Sequence, residues 1–329
     1  MKIAVFSTKS YDQEYFVKYS GRHAYTFSFF ETALNKSTAN LSIGFDVVCA
    51  FVNDKVDNDT IEILTKNGVK LIAMRCAGFN NVDLQSAKDH GIKVVRVPAY
   101  SPEAVAEHSV ALILTLNRKT HKAYNRVREG NFSLKNLIGF NLYGKTVGVV
   151  GTGQIGMAFC RIMKGFGCKI IAYDIKESGE FVAMGVQYLP IDDVFKQSDI
   201  LSLHCPLTPG TKHMVNKGSL AKMKDGVMII NTSRGALINT ADAIDGLVQK
   251  KIGYLGIDVY EQEENLFFED LSESIIQDDY ILKLNSFPNV LITSHQAYFT
   301  KEAMDQITLI TLDNIHAFET KQKLENEVF

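Results

Sequence analysis

Thr146-Val-Gly-Val-Val150 runs directly into Gly151-Thr-Gly-Gln-Ile-Gly156, and a helical pattern follows over Ile155–Phe166. An apolar strand, a turn with glycines at the first, third and sixth positions, and a helix form the unit that receives a dinucleotide pyrophosphate. Gly151 permits the tight turn, Gly153 lets a phosphate approach the backbone, and Gly156 lets helix and strand pack closely. The phosphate then sits at the helix N-terminus, where unpaired N–H groups and the dipole favour an anion. The next strand, Lys169–Tyr173, ends at Asp174, eighteen residues after Gly156. A carboxylate there accepts from ribose hydroxyls and repels a 2′-phosphate, so the expected cofactor is NAD and not NADP.

The same alternation extends in both directions. Toward the C-terminus, Ile200–His204, Val227–Ile230, Leu255–Ile257 and Val290–Thr293 read as strands, and Ala241–Lys250 as a helix between two of them. Toward the N-terminus, Ile3–Phe6, Val47–Val52, Leu71–Met74 and Val94–Val97 are short apolar runs. They are separated by helix-like Ile61–Asn67 and Leu84–His90, which end at Gly68 and Gly91. Continuously apolar strands separated by helices predict parallel sheets covered on both faces. Ser101–Asn117, with Pro102 at a first helical position, reads as a helix joining two halves, and Lys301–Glu319 as a final amphipathic helix.

At about 150 residues per domain, 329 residues predict two domains. Thirty-five basic against thirty-seven acidic residues give a net charge of −2, which argues against a nucleic-acid binder. No apolar run approaches the ~20 residues of a membrane span. Five cysteines without CxxC spacing argue against disulfides and zinc, fit a reducing cytoplasm, and leave no metal expected.

Four later segments each follow a strand: Leu203-His-Cys-Pro-Leu-Thr208, Ile230-Asn-Thr-Ser-Arg-Gly235, Asp258-Val-Tyr-Glu-Gln-Glu263 and Thr293-Ser-His-Gln-Ala297. With the glycine turn and Asp174 they resemble the D-2-hydroxyacid dehydrogenase family over nearly the whole chain. Arg75-Cys-Ala-Gly-Phe-Asn-Asn-Val-Asp83 and Val97-Pro-Ala-Tyr-Ser-Pro-Glu-Ala-Val-Ala-Glu107 are most similar to its fermentative D-lactate dehydrogenases. The resemblance implies two Rossmann-like/flavodoxin-like α/β parallel-sheet domains with a deep interdomain cleft. The substrate domain would comprise 1–99 and 298–329, and the dinucleotide-binding domain 100–297. The implied reaction is NADH-dependent reduction of pyruvate to D-lactate. The alternatives are a longer 2-keto acid such as 2-ketoisocaproate and, from another class, a dinucleotide-sensing binding protein. A homodimer or higher homo-oligomer, with no nucleic-acid or membrane partner, is also implied.

Residue chemistry supports three catalytic roles. Arg234 can grip a carboxylate through a bidentate fork. His295 can exchange a proton near neutrality. Glu263 can orient the imidazole, although Glu261 lies two residues away in the acidic run Glu261–Glu264. The resemblance assigns the roles to Arg234, Glu263 and His295. It further implies that Gln154 and Ile155 offer N–H groups to the pyrophosphate, that Cys205 and Pro206 wall the adenosine, and that Thr232, Ser233 and Arg234 flank the nicotinamide ribose. Asp258 would hold the carboxamide, and Thr211 stands where relatives can carry Asn. Ala77, Gly78, Tyr100 and Phe299 join Arg234 as substrate contacts, with Phe51 and Tyr298 as apolar walls.

Overall fold

The structure is a computed structural model that describes residues 1–263 and 266–329, so Glu264 of the acidic run lies outside the described residues. The chain divides into two compact units, Met1–Ser101 with Phe299–Phe329, and Pro102–Tyr298.

The first unit holds β1 (Lys2–Val5), α1 (Ser10–Tyr19), β2 (Thr26–Phe29), β3 (Val47–Ala50), α2 (Asn58–Lys66), β4 (Leu71–Met74), α3 (Leu84–Asp89), β5 (Lys93–Val95) and, from the chain's end, α12 (Lys301–Glu319). All strand pairs are parallel, in the order β2-β1-β3-β4-β5. Every residue of β3 and β4 is buried, as apolar strands covered on both faces require. One face packs Phe6, Val48, Ile61, Leu64 and Ile72. The other packs Ile3, Val5, Val47 and Leu71 against Leu312 and Ile315 of α12. Asp57 and Asp83 cap α2 and α3 by accepting the Thr60 and Ser86 N–H groups, and Gly68 and Gly91 follow those helices at φ +87° and +70°.

The expected strand Val47–Val52 stops at Ala50, because the Phe51 N–H leaves the ladder to donate to Asp54 at 2.6 Å. Two elements have no local signal. α1 buries only Asp12 and Phe16, and β2 is an edge strand in which no residue is fully buried.

The second unit begins with α4 (Pro102–Arg118) and α5 (Thr120–Arg128). Then come β6 (Thr146–Val150), α6 (Gln154–Gly165), β7 (Lys169–Tyr173), α7 (Gly179–Ala183), β8 (Gln187–Tyr188), α8 (Ile191–Gln197) and β9 (Ile200–Leu203). They are followed by α9 (Lys217–Lys222), β10 (Val227–Asn231), α10 (Thr240–Val248), β11 (Ile252–Ile257), α11 (Asp279–Ser286) and β12 (Val290–Ile292). Seven parallel strands lie in the order β12-β11-β10-β9-β6-β7-β8. The chain runs outward from β6 to β8 and then crosses back to β9, so strand order reverses between β6 and β9. In open parallel sheets such a switch point is where the carboxyl ends of the strands leave room for a ligand. α4 packs beside α6 and over β11. A Cβ at Gly256 would lie 2.9 Å from Ile230 and 3.1 Å from Leu116, so glycine is what admits the helix.

Among the described residues no helix is long and apolar enough to cross a membrane, and no cluster of His, Cys, Asp and Glu could hold a metal ion. All five cysteines are free and buried.

Candidate active site

The glycine turn sits at the switch point. Gly151 has φ +96°, and a Cβ there would lie 2.5 Å from the Cys205 nitrogen and 2.6 Å from the His204 carbonyl carbon. Only glycine lets the β6 and β9 loops approach this closely. A Cβ at Gly156 would lie 2.3 Å from the Gly151 oxygen, whereas nothing lies within 4 Å of the Cβ position of Gly153. Gly153 is also the N-cap of α6 and supplies no side-chain cap, so no capping side chain covers the first N–H groups from Gln154 onward. Tight packing at two glycines and open space at the third fit a pyrophosphate on this helix end.

Asp174 closes β7. Its Oδ2 accepts from the Thr152 N–H at 2.6 Å and the Thr152 hydroxyl at 2.9 Å, and its Oδ1 from the Lys176 N–H at 3.3 Å. Burial alone would raise the carboxyl, but the bonds from Thr152, with those from the Lys176 and Ile175 N–H groups, together outweigh it and hold it below its usual value. The group is therefore ionised at neutral pH, as a ribose acceptor must be.

On the other side of the switch point, the loops after β10, β11 and β12 meet. Arg234 follows β10; its Nη1 donates to the Ser233 carbonyl at 2.7 Å, and its own carbonyl accepts from Asn231 Nδ2 at 2.9 Å. A Cβ on Gly235 would lie 2.1 Å from the Tyr260 carbonyl carbon. Glycine directly after Arg234 thus lets the β10 loop lie on the β11 loop that carries the acids. Of these, Glu263 reaches His295: Oε1 lies 2.8 Å from Nδ1, while Oε2 accepts from the Tyr260 N–H at 2.8 Å. An ionised carboxylate only accepts, so Nδ1 carries the proton and Nε2 is left to exchange one. Glu261 points elsewhere, 2.5 Å from His213 Nε2 and 3.0 Å from the Thr240 hydroxyl. His295 itself has φ +53°, an unusual backbone for a non-glycine residue, held by its N–H to the Asp258 carbonyl at 2.7 Å.

Asp258 is fully buried. Its carboxylate accepts from the Thr293 hydroxyl at 2.5 Å and from the Gln296 and Ala297 N–H groups at 2.9 and 2.8 Å. It therefore ties down the turn that bears His295, and any carboxamide contact has to share those oxygens. The single Thr293 hydroxyl proton goes to Asp258. His108 Nε2, 3.0 Å from the same oxygen, must then be the donor. Nothing at the level of sequence pattern joins His108 to a residue 185 positions away.

Most of the remaining predicted contacts of this unit are engaged within it. Cys205 is buried with Sγ 3.7 Å from the Met214 sulfur, and Pro206 is exposed. The Thr232 hydroxyl bonds Ser109 at 2.8 Å, and the Ser233 hydroxyl donates to the Cys205 carbonyl at 2.7 Å. The Thr211 hydroxyl donates to the Pro206 carbonyl at 2.7 Å and so braces its own loop. Tyr298 is the last residue of this unit and is buried.

In the first unit, Ala77 and Gly78 follow β4. Arg96 Nη1 donates to the Ala77 carbonyl at 2.9 Å, and the Cys76 thiol to the Gly78 carbonyl at 3.1 Å. Their carbonyls are thus turned into the protein. Phe299, half exposed, meets Tyr11 edge-on at 4.7 Å. The Arg75 guanidinium lies over the Phe51 ring at 4.7 Å. Tyr100 is the penultimate residue before α4.

Comparison with known proteins gives a single answer. Residues 110–297 match the model of the D-isomer specific 2-hydroxyacid dehydrogenase NAD binding domain. The chain is 54% identical to a 2-hydroxyacid dehydrogenase homolog of Haemophilus influenzae, covering all of this chain and 99% of that one. It is 51% identical to the D-lactate dehydrogenase of Escherichia coli, with all of both chains covered. The solved pyruvate reductase of Chlamydomonas reinhardtii superposes with a TM-score of 0.94 at 46% identity, covering 99% of this chain and 98% of that one.

Proposed function

The chain belongs to the D-isomer specific 2-hydroxyacid dehydrogenases, as an NAD-binding oxidoreductase most like D-lactate dehydrogenase; from that premise we propose that it reduces pyruvate to D-lactate with NADH. The observation that carries the proposal is the His295–Glu263 pair at 2.8 Å, beside the loop of Arg234. It supplies the proton donor and the carboxylate grip that a 2-keto acid requires, and a dinucleotide-sensing protein has no use for either.

Arg234 holds the carboxylate with two parallel N–H donors, a geometry that lysine cannot reproduce. Bound NADH supplies the hydride for the carbonyl carbon. The carbonyl oxygen takes its proton from His295 Nε2, and Glu263, already bonded to Nδ1–H, stabilises the imidazolium that donates it. Ala77, Gly78, Tyr100 and Phe299 are proposed as further substrate contacts. A reducing, cytoplasmic setting agrees with five free thiols, and a fermentative role is proposed with the lactate reaction. A homo-oligomer assembled through the second unit is supported by one stretch of exposed apolar side chains: Tyr124, Val127, Phe132, Leu134, Ile138 and Tyr143, each more than half exposed.

The test is NADH oxidation with a panel of 2-keto acids, with chiral analysis of the product. Pyruvate should exceed 2-ketoisocaproate in kcat/KM by about 10–200-fold, because overfilling a small apolar pocket costs ~1–3 kcal/mol. A preference for 2-ketoisocaproate, or an L product, would overturn the lactate assignment and leave the family untouched.

A further inference from the structure

Asp174 is not an isolated acid at the end of a strand. Behind it runs a chain of hydrogen bonds: the Ser178 N–H donates to the Tyr188 hydroxyl at 3.0 Å, Tyr188 to Thr152 Oγ1 at 3.0 Å, and Thr152 Oγ1 to Asp174 Oδ2 at 2.9 Å. The direction of every bond is fixed by the two ends. A backbone N–H can only donate and a carboxylate can only accept, so each hydroxyl between them must receive from the Ser178 side and give to the Asp174 side. Hydrogen bonds aligned head to tail polarise one another, and the last of them ends on a charge.

The members are well fixed in place. Thr152 is the second residue of the glycine turn and is buried. Tyr188 lies on β8, at the edge of the sheet, with its ring packed near Phe181. Ser178 is the N-cap of α7. The relay therefore joins the glycine turn to the β7–α7 connection and to β8. It takes two of the carboxylate's bonds, from the Thr152 N–H and hydroxyl, on Oδ2 alone. Oδ1 accepts only weakly from its own loop, the Lys176 N–H lying at a long 3.3 Å, with the Ile175 N–H also set against the carboxylate. One oxygen is thereby anchored and the other is presented.

The geometry points to Thr152 and Tyr188 as positioning residues for cofactor choice: they lock the rotamer of Asp174 and aim Oδ1 at the diol of an adenosine ribose. This rests on the reading of Asp174 as the ribose acceptor. A fixed carboxylate discriminates more sharply than a mobile one, because a mobile one can swing aside from a 2′-phosphate. The lowered position of the Asp174 carboxyl, to which the two Thr152 bonds contribute most against the opposing effect of burial, agrees with this role.

The experiment is calorimetric titration of the purified protein with NADH, NADPH and ADP-ribose, which reads binding without turnover. Thr152→Val should weaken NADH and ADP-ribose by about tenfold, the scale of one bond to a charged group, and Tyr188→Phe by about threefold. NADPH should lose less, so the preference between cofactors narrows. Thr152→Ser, which keeps the hydroxyl, should restore parent-like affinity. Repeated at falling pH for as long as both proteins stay folded, the titration should show Thr152→Val losing NADH at a higher pH than the parent, because its carboxyl protonates more readily. In an Asp174→Ala background, Thr152→Val should have no further effect on NADH. If Asp174→Ala keeps the parent's preference, the ribose reading itself fails. If Asp174→Ala narrows it while Thr152→Val and Tyr188→Phe bind like the parent, the relay is refuted and the ribose reading stands. Additive losses in the double variant would also overturn it. Should Thr152→Val not fold, Tyr188→Phe and Thr152→Ser carry the same test.

Discussion

At the carboxyl edge of the seven-stranded sheet the chain places glycines, short polar turns and one buried carboxylate, Asp258; at the same edge of the five-stranded sheet it buries an arginine together with two acids. Arg75, 2% exposed, follows β4 directly. Its Nη2 donates to the Ser7 carbonyl at 2.8 Å, and its Nε lies 3.4 Å from Asp12, itself buried on α1. Asp54, also 2% exposed, accepts from the Ser7 hydroxyl and from the Leu34 and Phe51 N–H groups, all within 2.7 Å. Burial pushes the Asp54 carboxyl upward and Arg75 opposes that. Ser7 sits between them at φ +51°. One edge is shaped chiefly by what must be absent, a Cβ; the other by a buried arginine whose Nη1 has no hydrogen-bond partner among the described residues but whose charge faces two buried acids, and a buried charge without its opposite is costly. The first should therefore fail in function and the second in stability.

The sharpest way to break that contrast is through rate. His295→Ala should lower kcat by about 10²–10⁴-fold, the range for losing a general acid, with an unchanged urea midpoint. Arg75→Met should do the reverse at its own edge. It leaves Asp12 and Asp54 buried without their cation and should cost about 3–5 kcal/mol of stability, read from urea unfolding followed by circular dichroism. The affinity for NADH, which depends on the other unit, should hold wherever the protein remains folded. Parent-like stability in Arg75→Met would show that the network does not hold the first unit together, and the contrast would fall.

The two edges also differ in how much of them can be read from sequence. The glycine turn is legible because a backbone that must approach a phosphate or another strand forces glycine at fixed, local spacing. The loops of Arg234 and His295 are legible because each directly follows an apolar strand. The Arg75 network leaves no such mark: its partners lie 63 and 68 residues away, and an arginine before Cys76 has no period to betray it. For the same reason α1 and β2 are silent. α1 turns only Phe16 and a buried Asp12 inward, and β2 is an edge strand without a fully buried residue. Within the acidic segment, Glu261 and Glu263 look alike in sequence. The structure separates them by placing His295 beside one and His213 beside the other.

That separation gives a smaller effect to measure. Glu263→Gln should lower kcat by about tenfold or more, because the imidazolium loses its charged acceptor, while Glu261→Gln should leave kcat within about twofold of the parent. Steady-state kinetics on both variants decides it. The opposite order would assign the orienting role to Glu261 and detach Glu263 from the chemistry.

The smallest effect belongs to Glu261 itself, and it is one of stability with a defined pH dependence. Burial pushes this carboxyl up, but bonds from His213 and Thr240 outweigh burial and hold it below its usual value of 4.5. A carboxyl that is more acidic folded than unfolded stabilises the fold above its unfolded pKa, and the contribution is lost as pH falls through the folded value. Glu261→Gln should therefore unfold more easily than the parent at pH 6–7, by about 1 kcal/mol for a charged bond open in part to solvent. Below about pH 4.5 the two curves should converge. The pair ties the loop after β9 to the loop after β11, so convergence would locate an acid-sensitive brace beside the catalytic loops, outside the catalytic pair. Parallel curves down to pH 3.5 would mean that the bond between Glu261 and His213 contributes nothing through its charge.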